Sequence, residues 1–271
     1  MLNIFKKQLK CFRADLRNLL IKRRCKHITS PLTRYLSTQT DATPVFIVSY
    51  NNGLYVENMT RQLNRYDIKP IILDNHTTNE KSLKILEHLH SNSYAHVIYS
   101  RHNFGHMIGF LQPIYDVLPE IFAYTDPDLQ LNSELPVNFL AALASLTTEY
   151  SVFKAGFALS LEGHGKINDI KMHCLHTRPI KYDKHQSIKE FESKHWRFRL
   201  QHDKLEVYAA TIDTTFAVYR KSNYIGDFHR AVRVAGNFSA IHLPWFDDLD
   251  LLTDEDKKTY LKRNTSSNWI K

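Results

Sequence analysis

The chain is expected to fold as an α/β domain, a mixed sheet flanked by helices, preceded by a basic N-terminal amphipathic helix. Three observations predict this. From Pro44 onward, short apolar β-branched runs alternate with segments of helical period. Each of the first four runs ends in polar residues. The net positive charge is confined to the first forty residues.

The run Val45-Phe46-Ile47-Val48-Ser49-Tyr50 is apolar enough for a strand buried on both faces, and Asn51-Asn52-Gly53 closes it as a turn. Residues 54–65 put Leu54, Met59 and Leu63 on one helical side. A second strand, Pro70-Ile71-Ile72-Leu73, ends at Asp74-Asn75, and a helix over 79–90 carries Leu83, Leu86 and Leu89. Residues 95–99 form a third strand, 110–118 a helix, and Ile121-Phe122-Ala123-Tyr124 a fourth strand that runs into Thr125-Asp126-Pro127-Asp128. Strands alternating with helices lie parallel through right-handed crossovers, and such sheets bind ligands beyond the carboxyl ends of their strands. Those ends carry Tyr50-Asn51, Asp74-Asn75, Ser100-Arg101 and Asp126-Pro127-Asp128. No GxGxxG or GxxxxGK[ST] stretch occurs here, so dinucleotide and P-loop readings lose support.

The second half is expected to extend this sheet. Residues 136–148 read as a helix, 152–161 as a strand, Glu162-Gly163-His164-Gly165 as a turn and 186–200 as a polar helix. Residues 205–219 hold one or two strands around Asp213. His242-Leu243-Pro244-Trp245 precedes an acidic segment, 247–256, and a helical tail. The division is an arm and linker over 1–43 and one domain over 44–271.

With 271 residues, 43% hydrophobic and 12% aromatic, the chain can bury a sizeable core and is not of disordered composition. The net charge of +8 is local: residues 1–40 hold ten Lys/Arg against one acid, Asp15, whereas the rest holds 26 basic and 27 acidic residues. A near-neutral main domain speaks against a broad nucleic-acid surface. Three cysteines without CxxC spacing imply neither a zinc site nor a disulfide framework, and fit a reducing cytoplasmic compartment. No run approaches the ~20 apolar residues of a membrane span, and no apolar signal core is evident. In the arm, Leu2, Phe5, Leu9, Phe12, Leu16, Leu19 and Leu20 recur at helical spacing among Lys and Arg. Such a helix suits an anionic membrane surface, a packing role on the domain, or nucleic-acid phosphate. Residues 26–43 read as a polar connector.

Asp126-Pro127-Asp128 carries the chemistry. Two carboxylates at i and i+2 after a strand can approach one Mg²⁺ or Mn²⁺, directly or through water. Such a pair is common, and this chain repeats it at Asp248/Asp250 and Asp254/Asp256. Only the first stands at a strand tip in line with three other polar tips.

This order of elements resembles the GT-A glycosyltransferases, in particular bacterial family 2-like enzymes, over about residues 44–135. Residues 45–51 are similar to the family's nucleotide-contacting first strand, Leu73-Asp74-Asn75-His76-Thr77-Thr78 to its second strand tip, Asn103-Phe104-Gly105 to its Asn-x-Gly element, and 122–128 to its DxD strand. The resemblance implies a GT-A (Rossmann-like) fold, a nucleotide-sugar half over 44–135 and an acceptor half over 136–271. It implies a UDP-sugar donor held by Ser49, Tyr50, Asn51, Asp74, Asn75, Arg101, Asn103 and Asp126, with Mn²⁺ or Mg²⁺ on Asp126, Asp128 and a histidine. His242 is the candidate among 15, because Pro244 and Trp245 would fix its position. Alternatively Asp74 caps the following helix, Arg101 is a surface arginine, His242 packs on Trp245, and Trp245 either stacks on an acceptor sugar or fills core.

The family's Glu-Asp pair has no clean copy here. Asp213, among small and apolar residues, is the candidate base for an inverting transfer, with Asp247 and Asp248 second. Glu162, His164, His173 and His176 are candidates for the acceptor side. The implied activity is transfer to a glycan or lipid-linked acceptor, as in surface polysaccharide or lipopolysaccharide synthesis, at the inner face of the plasma membrane. The alternatives are sugar-phosphate nucleotidyl transfer, disfavoured by the single glycine after the first strand, and an inactive GT-A-like binding protein.

Overall fold

A computed structural model describes residues 2–39, 43–161, 171–172, 187–263 and 269–270. In chain order its elements are α1 (Leu2–Leu36), β1 (Val45–Ser49), α2 (Gly53–Asn64), β2 (Ile71–Asp74), α3 (Glu80–Ser91), β3 (His96–Tyr99), α4 (Gln112–Tyr115), β4 (Ile121–Thr125), β5 (Leu129–Leu131) and α5 (Phe139–Glu149). There follow β6 (Lys154–Phe157), β7 (Lys171–Met172), α6 (Ile188–Ser193), β8 (Arg199–Leu200), β9 (Val207–Ala209), β10 (Ala217–Arg220), β11 (Ala231–Val234), β12 (Ala240–His242), α7 (Asp254–Arg263) and β13 (Trp269–Ile270).

The mixed sheet flanked by helices is present. Among the described residues its strand order is β3-β2-β1-β4-β10-β6-β11-β9-β8. The first four strands are parallel, as the alternating pattern predicts. β10 runs antiparallel between β4 and β6, β11 lies parallel to β6, and β9 and β8 return antiparallel. Two small antiparallel pairs, β5 with β12 and β7 with β13, stand apart from the main sheet.

Side chains alternate across β1, so each face of the sheet has its own core. Val45 and Ile47 join Val56, Met59 and Leu63 of α2, Leu86 and Leu89 of α3, and Phe139, Leu143 and Leu146 of α5. Phe46 and Val48 join Phe122, Tyr124 and Tyr219 on the other face, where α1 contributes Cys25, Ile28 and Leu32. At roughly 25 cal/mol per Å² of apolar surface removed from water, these layers are the main stabilising term. Gly156 is required by close approach: a Cβ there would meet the Phe216 carbonyl oxygen at 2.3 Å, where Phe157 N donates to that same oxygen.

The polar-connector reading of 26–43 is corrected in its first part, because α1 runs on to Leu36 through Pro31. Cys25, Ile28 and Leu32, three and four apart, are fully buried against the sheet, and this packing outweighs the amide bond that Pro31 cannot make. The helix expected over 110–118 is a 3₁₀ turn, Ile108–Phe110, followed by the single turn of α4. The strand expected over 152–161 is regular only over β6, and the helix expected over 186–200 ends early, although Ser187 and Glu190 start it with a capping box. β5, β8, β11 and β12 are additions to the sequence reading. Among the described residues no helix is long and apolar enough to cross a membrane.

Candidate functional site

The parallel pairing aligns the polar tips. Ser49 is in register with Asp74, and Asp74 with Tyr99, while Asn75 N donates to the Ser49 carbonyl and Ser100 N to the Asp74 carbonyl. Beyond the strands, the loops are cross-linked through short polar side chains. Asn51 holds a left-handed backbone (φ 54), which asparagine tolerates better than most residues, and its Oδ1 accepts from Thr78 N at 2.8 Å and Asn79 N at 2.9 Å. The Thr77 hydroxyl accepts from Asn51 N, and Asn52 Oδ1 from Tyr50 N and the Ser49 hydroxyl. Asn75 donates to Asn103 Oδ1 and to the Gly105 carbonyl, and accepts from Phe104 N.

Asp74 is 2% exposed and accepts from Thr77 N at 3.1 Å, while its Oδ1 has no hydrogen-bond partner. Burial pushes its carboxyl above the usual range, against hydrogen bonds from Thr77 and Ser49. It does not cap α3; Asn79 does, accepting from Ser82 N. Arg101 is exposed at the same end, its amide donating to His27 Nε2 of α1 at 2.8 Å.

Asp126 follows β4, and the bend before β10 grips it. The Thr214 hydroxyl donates to Asp126 Oδ2 at 2.5 Å, and Asp126 N donates to the Thr214 carbonyl. Burial first, then neighbouring Asp128, lifts the Asp126 carboxyl to about 7; Thr214 opposes the rise, Asp213 adds to it and His242 opposes it.

Asp128 precedes β5, and the β5–β12 pairing sets His242 opposite Leu129, with Leu243 N donating to the Asp128 carbonyl. His242 Nε2 lies 3.3 Å from Asp128 Oδ2. Burial works to lower the imidazole's pKa, but Asp128, Asp126 and Glu192 outweigh it and raise it. Burial likewise works to raise that of Asp128, and His242 overrides it and holds the carboxyl low. Asp128 Oδ1 and His242 Nδ1 are buried without a hydrogen-bond partner. Trp245 is buried, its ring 4.7 Å from that of His242, which favours the packing reading for it.

The structure therefore brings Asp128 and His242 together and turns Asp126 toward Thr214. Among the described residues, no three His, Cys, Asp or Glu side chains converge as a metal cage. A carboxylate–imidazole pair still fits a hard divalent ion that keeps several waters, and the two unpartnered atoms are of the ligating kind.

Asp213 is corrected in one respect: it lies in the exposed bend before β10 and not in a strand, although close enough to Asp126 to raise its pKa. Asp247 and Asp248 are exposed beyond Trp245. Glu162, His164, His173 and His176 lie outside the described residues. The sequence reading missed Thr77, Thr214, Lys154, Glu192 and Arg233. Lys154 and Arg233 had a signal, each a lone charge inside an apolar strand run, Phe153-Lys154-Ala155 and Val232-Arg233-Val234.

No family model and no curated protein matches the chain. Solved structures do match. The mannosyltransferase PcManGT from Pyrobaculum calidifontis, in complex with GDP-Man and Mn²⁺, is similar at 14% identity and a TM-score of 0.42, over 84% of this chain and 65% of that one. TarS from S. aureus is similar at 18% identity and a TM-score of 0.33, over 52% of this chain and 26% of that one. TarS 1–349 is similar at 14% identity and a TM-score of 0.34, over 66% and 47%. This chain thus spans less than two thirds of the length of each. No residue role is taken from these proteins.

Proposed function

We propose that this chain is a metal-dependent GT-A glycosyltransferase, moving a sugar from a nucleotide-sugar donor to a glycan or lipid-linked acceptor. The observation that carries the reading is the pairing of Asp128 with His242 beside Asp126, at the end of the sheet where three other polar tips line up.

In this reading Asn51, Asp74 and Asn75 form the floor under the base and ribose, with Ser49, Tyr50 and Asn103 supporting it. The buried, unpartnered Asp74 Oδ1 is an acceptor awaiting a donor such as a base N–H or a ribose hydroxyl. Asp128 and His242 hold Mn²⁺ or Mg²⁺, with Asp126 acting through water or toward the ribose. When bound, the ion neutralises charge on the departing diphosphate. Arg101 stands at the β3 tip, where its guanidinium can offset charge on the diphosphate. Asp213, exposed and next to Asp126, is the base that takes the acceptor hydroxyl proton in an inverting transfer.

A UDP-sugar is the donor proposed from the resemblance, and surface polysaccharide or lipopolysaccharide synthesis the setting. The basic arm would hold the enzyme to the anionic inner face of the plasma membrane, in the cytoplasm. The deciding experiment is a donor screen including UDP-sugars and GDP-mannose, with and without Mn²⁺, followed by NMR of the new linkage. Absence of metal-dependent donor turnover with every nucleotide sugar would sink the reading.

A further inference from the structure

The bend over residues 211–214 is held from beneath at every residue. Arg233 Nε donates to the Thr211 carbonyl at 2.8 Å. The Ile212 side chain is fully buried in the aromatic layer. Lys154 Nζ donates to the Asp213 carbonyl at 2.8 Å, and the Tyr219 hydroxyl approaches that oxygen at 3.4 Å. Thr214 makes both of its bonds to Asp126. The side chains of Thr211 and Asp213 stay exposed. The result is a segment with fixed backbone and open side chains.

Both anchoring donors are unusual in where they sit. Lys154 is 0% exposed, its Nζ 3.6 Å from the centroid of the Phe228 ring. Arg233 is buried in β11, and its second anchor is a hydrogen-bonded ion pair with Glu192 of α6, itself 1% exposed. Replacing buried ionic groups by apolar ones of similar volume is often neutral for stability or improves it, so general stability is a weak reason for these residues. Both reach the same four-residue bend from adjacent strands, β6 and β11.

We infer that Lys154 and the Arg233–Glu192 pair are positioning residues: they fix the 211–214 backbone so that Thr214 holds Asp126 and Asp213 stands beside it. This rests on the reading of Asp126, Asp128 and His242 as the donor site. The anchoring itself is a property of the chain and can be measured without any donor.

The test uses the full chain with Lys154→Met, and separately the double variant Arg233→Met with Glu192→Leu, which removes both charges together. Amide exchange is followed in a peptide covering 210–216 and in peptides from β1, β2 and β4; Mn²⁺ binding is followed by electron paramagnetic resonance. Exchange in 210–216 is expected to rise ~10-fold or more in each variant while β1, β2 and β4 stay protected. Mn²⁺ affinity is expected to fall, a change that a loss of folded protein alone would not produce, and with an active donor kcat per folded molecule, the folded fraction being measured by circular dichroism, should drop ~10-fold or more. Unchanged protection of 210–216 in both variants would overturn the inference. So would loss of protection throughout the sheet, which would make these residues general supports. A wild-type chain that binds no Mn²⁺ and turns over no nucleotide sugar would remove the donor-site reading, while the exchange result would still decide the anchoring.

Discussion

Thr214 and Asp126 hold each other twice: the Thr214 hydroxyl donates to Asp126 Oδ2 at 2.5 Å, and Asp126 N donates to the Thr214 carbonyl at 3.0 Å. Residues 88 positions apart are thereby fixed at the junction of β4 and β10. Thr214→Val keeps the shape and removes the hydroxyl. Losing this donor to a buried carboxyl should cost ~1–3 kcal/mol in urea unfolding. Donor turnover should fall on the order of 10-fold, if Asp126 must be held in one orientation. Full activity in Thr214→Val would show that Asp126 needs no such anchor.

Asp128 and His242 are expected to act as one unit toward a divalent ion. Asp128→Asn and His242→Ala should each weaken Mn²⁺ binding by ~10–100-fold, read by calorimetry or paramagnetic resonance. The double variant should lose little more than either single one, because ligands of one ion are not additive. Wild-type Mn²⁺ affinity in Asp128→Asn would refute the assignment.

The second half of α1 belongs to the folded core. Leu32 is fully buried against the sheet, so Leu32→Ala should destabilise the chain by ~2–5 kcal/mol in denaturant unfolding. A change within ~0.5 kcal/mol would mean that the helix contributes little to the fold.

The first half of α1 makes a separable prediction. Deleting residues 1–24 spares Cys25, Ile28 and Leu32, removes eight of the ten basic residues preceding Thr40 and leaves Lys26 and Arg34, and should release the chain from anionic liposomes in a sedimentation assay while leaving activity on a soluble acceptor largely intact. Undiminished liposome binding would end the membrane proposal.

His27 gives a pH dependence. Burial, with Arg101 and His102, lowers its imidazole pKa, and its Nε2 accepts from Arg101 N and so must be unprotonated. The unfolded chain then holds this proton more tightly than the folded one, so stability rises with pH. The contribution is complete above the ordinary histidine value of ~6.5 and is lost as pH falls through the lower, folded value. His27→Gln should flatten the part of the stability–pH curve that lies below neutrality, measured by thermal unfolding across pH 4–8 at constant salt; a curve parallel to wild type would exclude this role.

The sequence alone determined the β1–β4 half of the sheet. Four apolar runs, each ending in polar residues, are local patterns, and the β1–β4 tips that carry Asn51, Asp74, Asn75 and Asp126 follow from period and order. Local pattern failed where polarity and packing disagree. Thr29, Ser30 and Pro31 read as a connector, yet Cys25, Ile28 and Leu32 around them bury one face of that helix. Only the tertiary structure decided which distant residues meet. His242 reaches Asp128 through the β5–β12 pairing, and Thr214 reaches Asp126 because β10 inserts antiparallel beside β4. Lys154, Arg233 and Glu192 converge on 211–214 from three elements. The physical reason is range: hydrophobic period and turn chemistry act over a few residues, whereas these contacts are fixed by strand order, which the burial of both sheet faces sets for the whole chain at once.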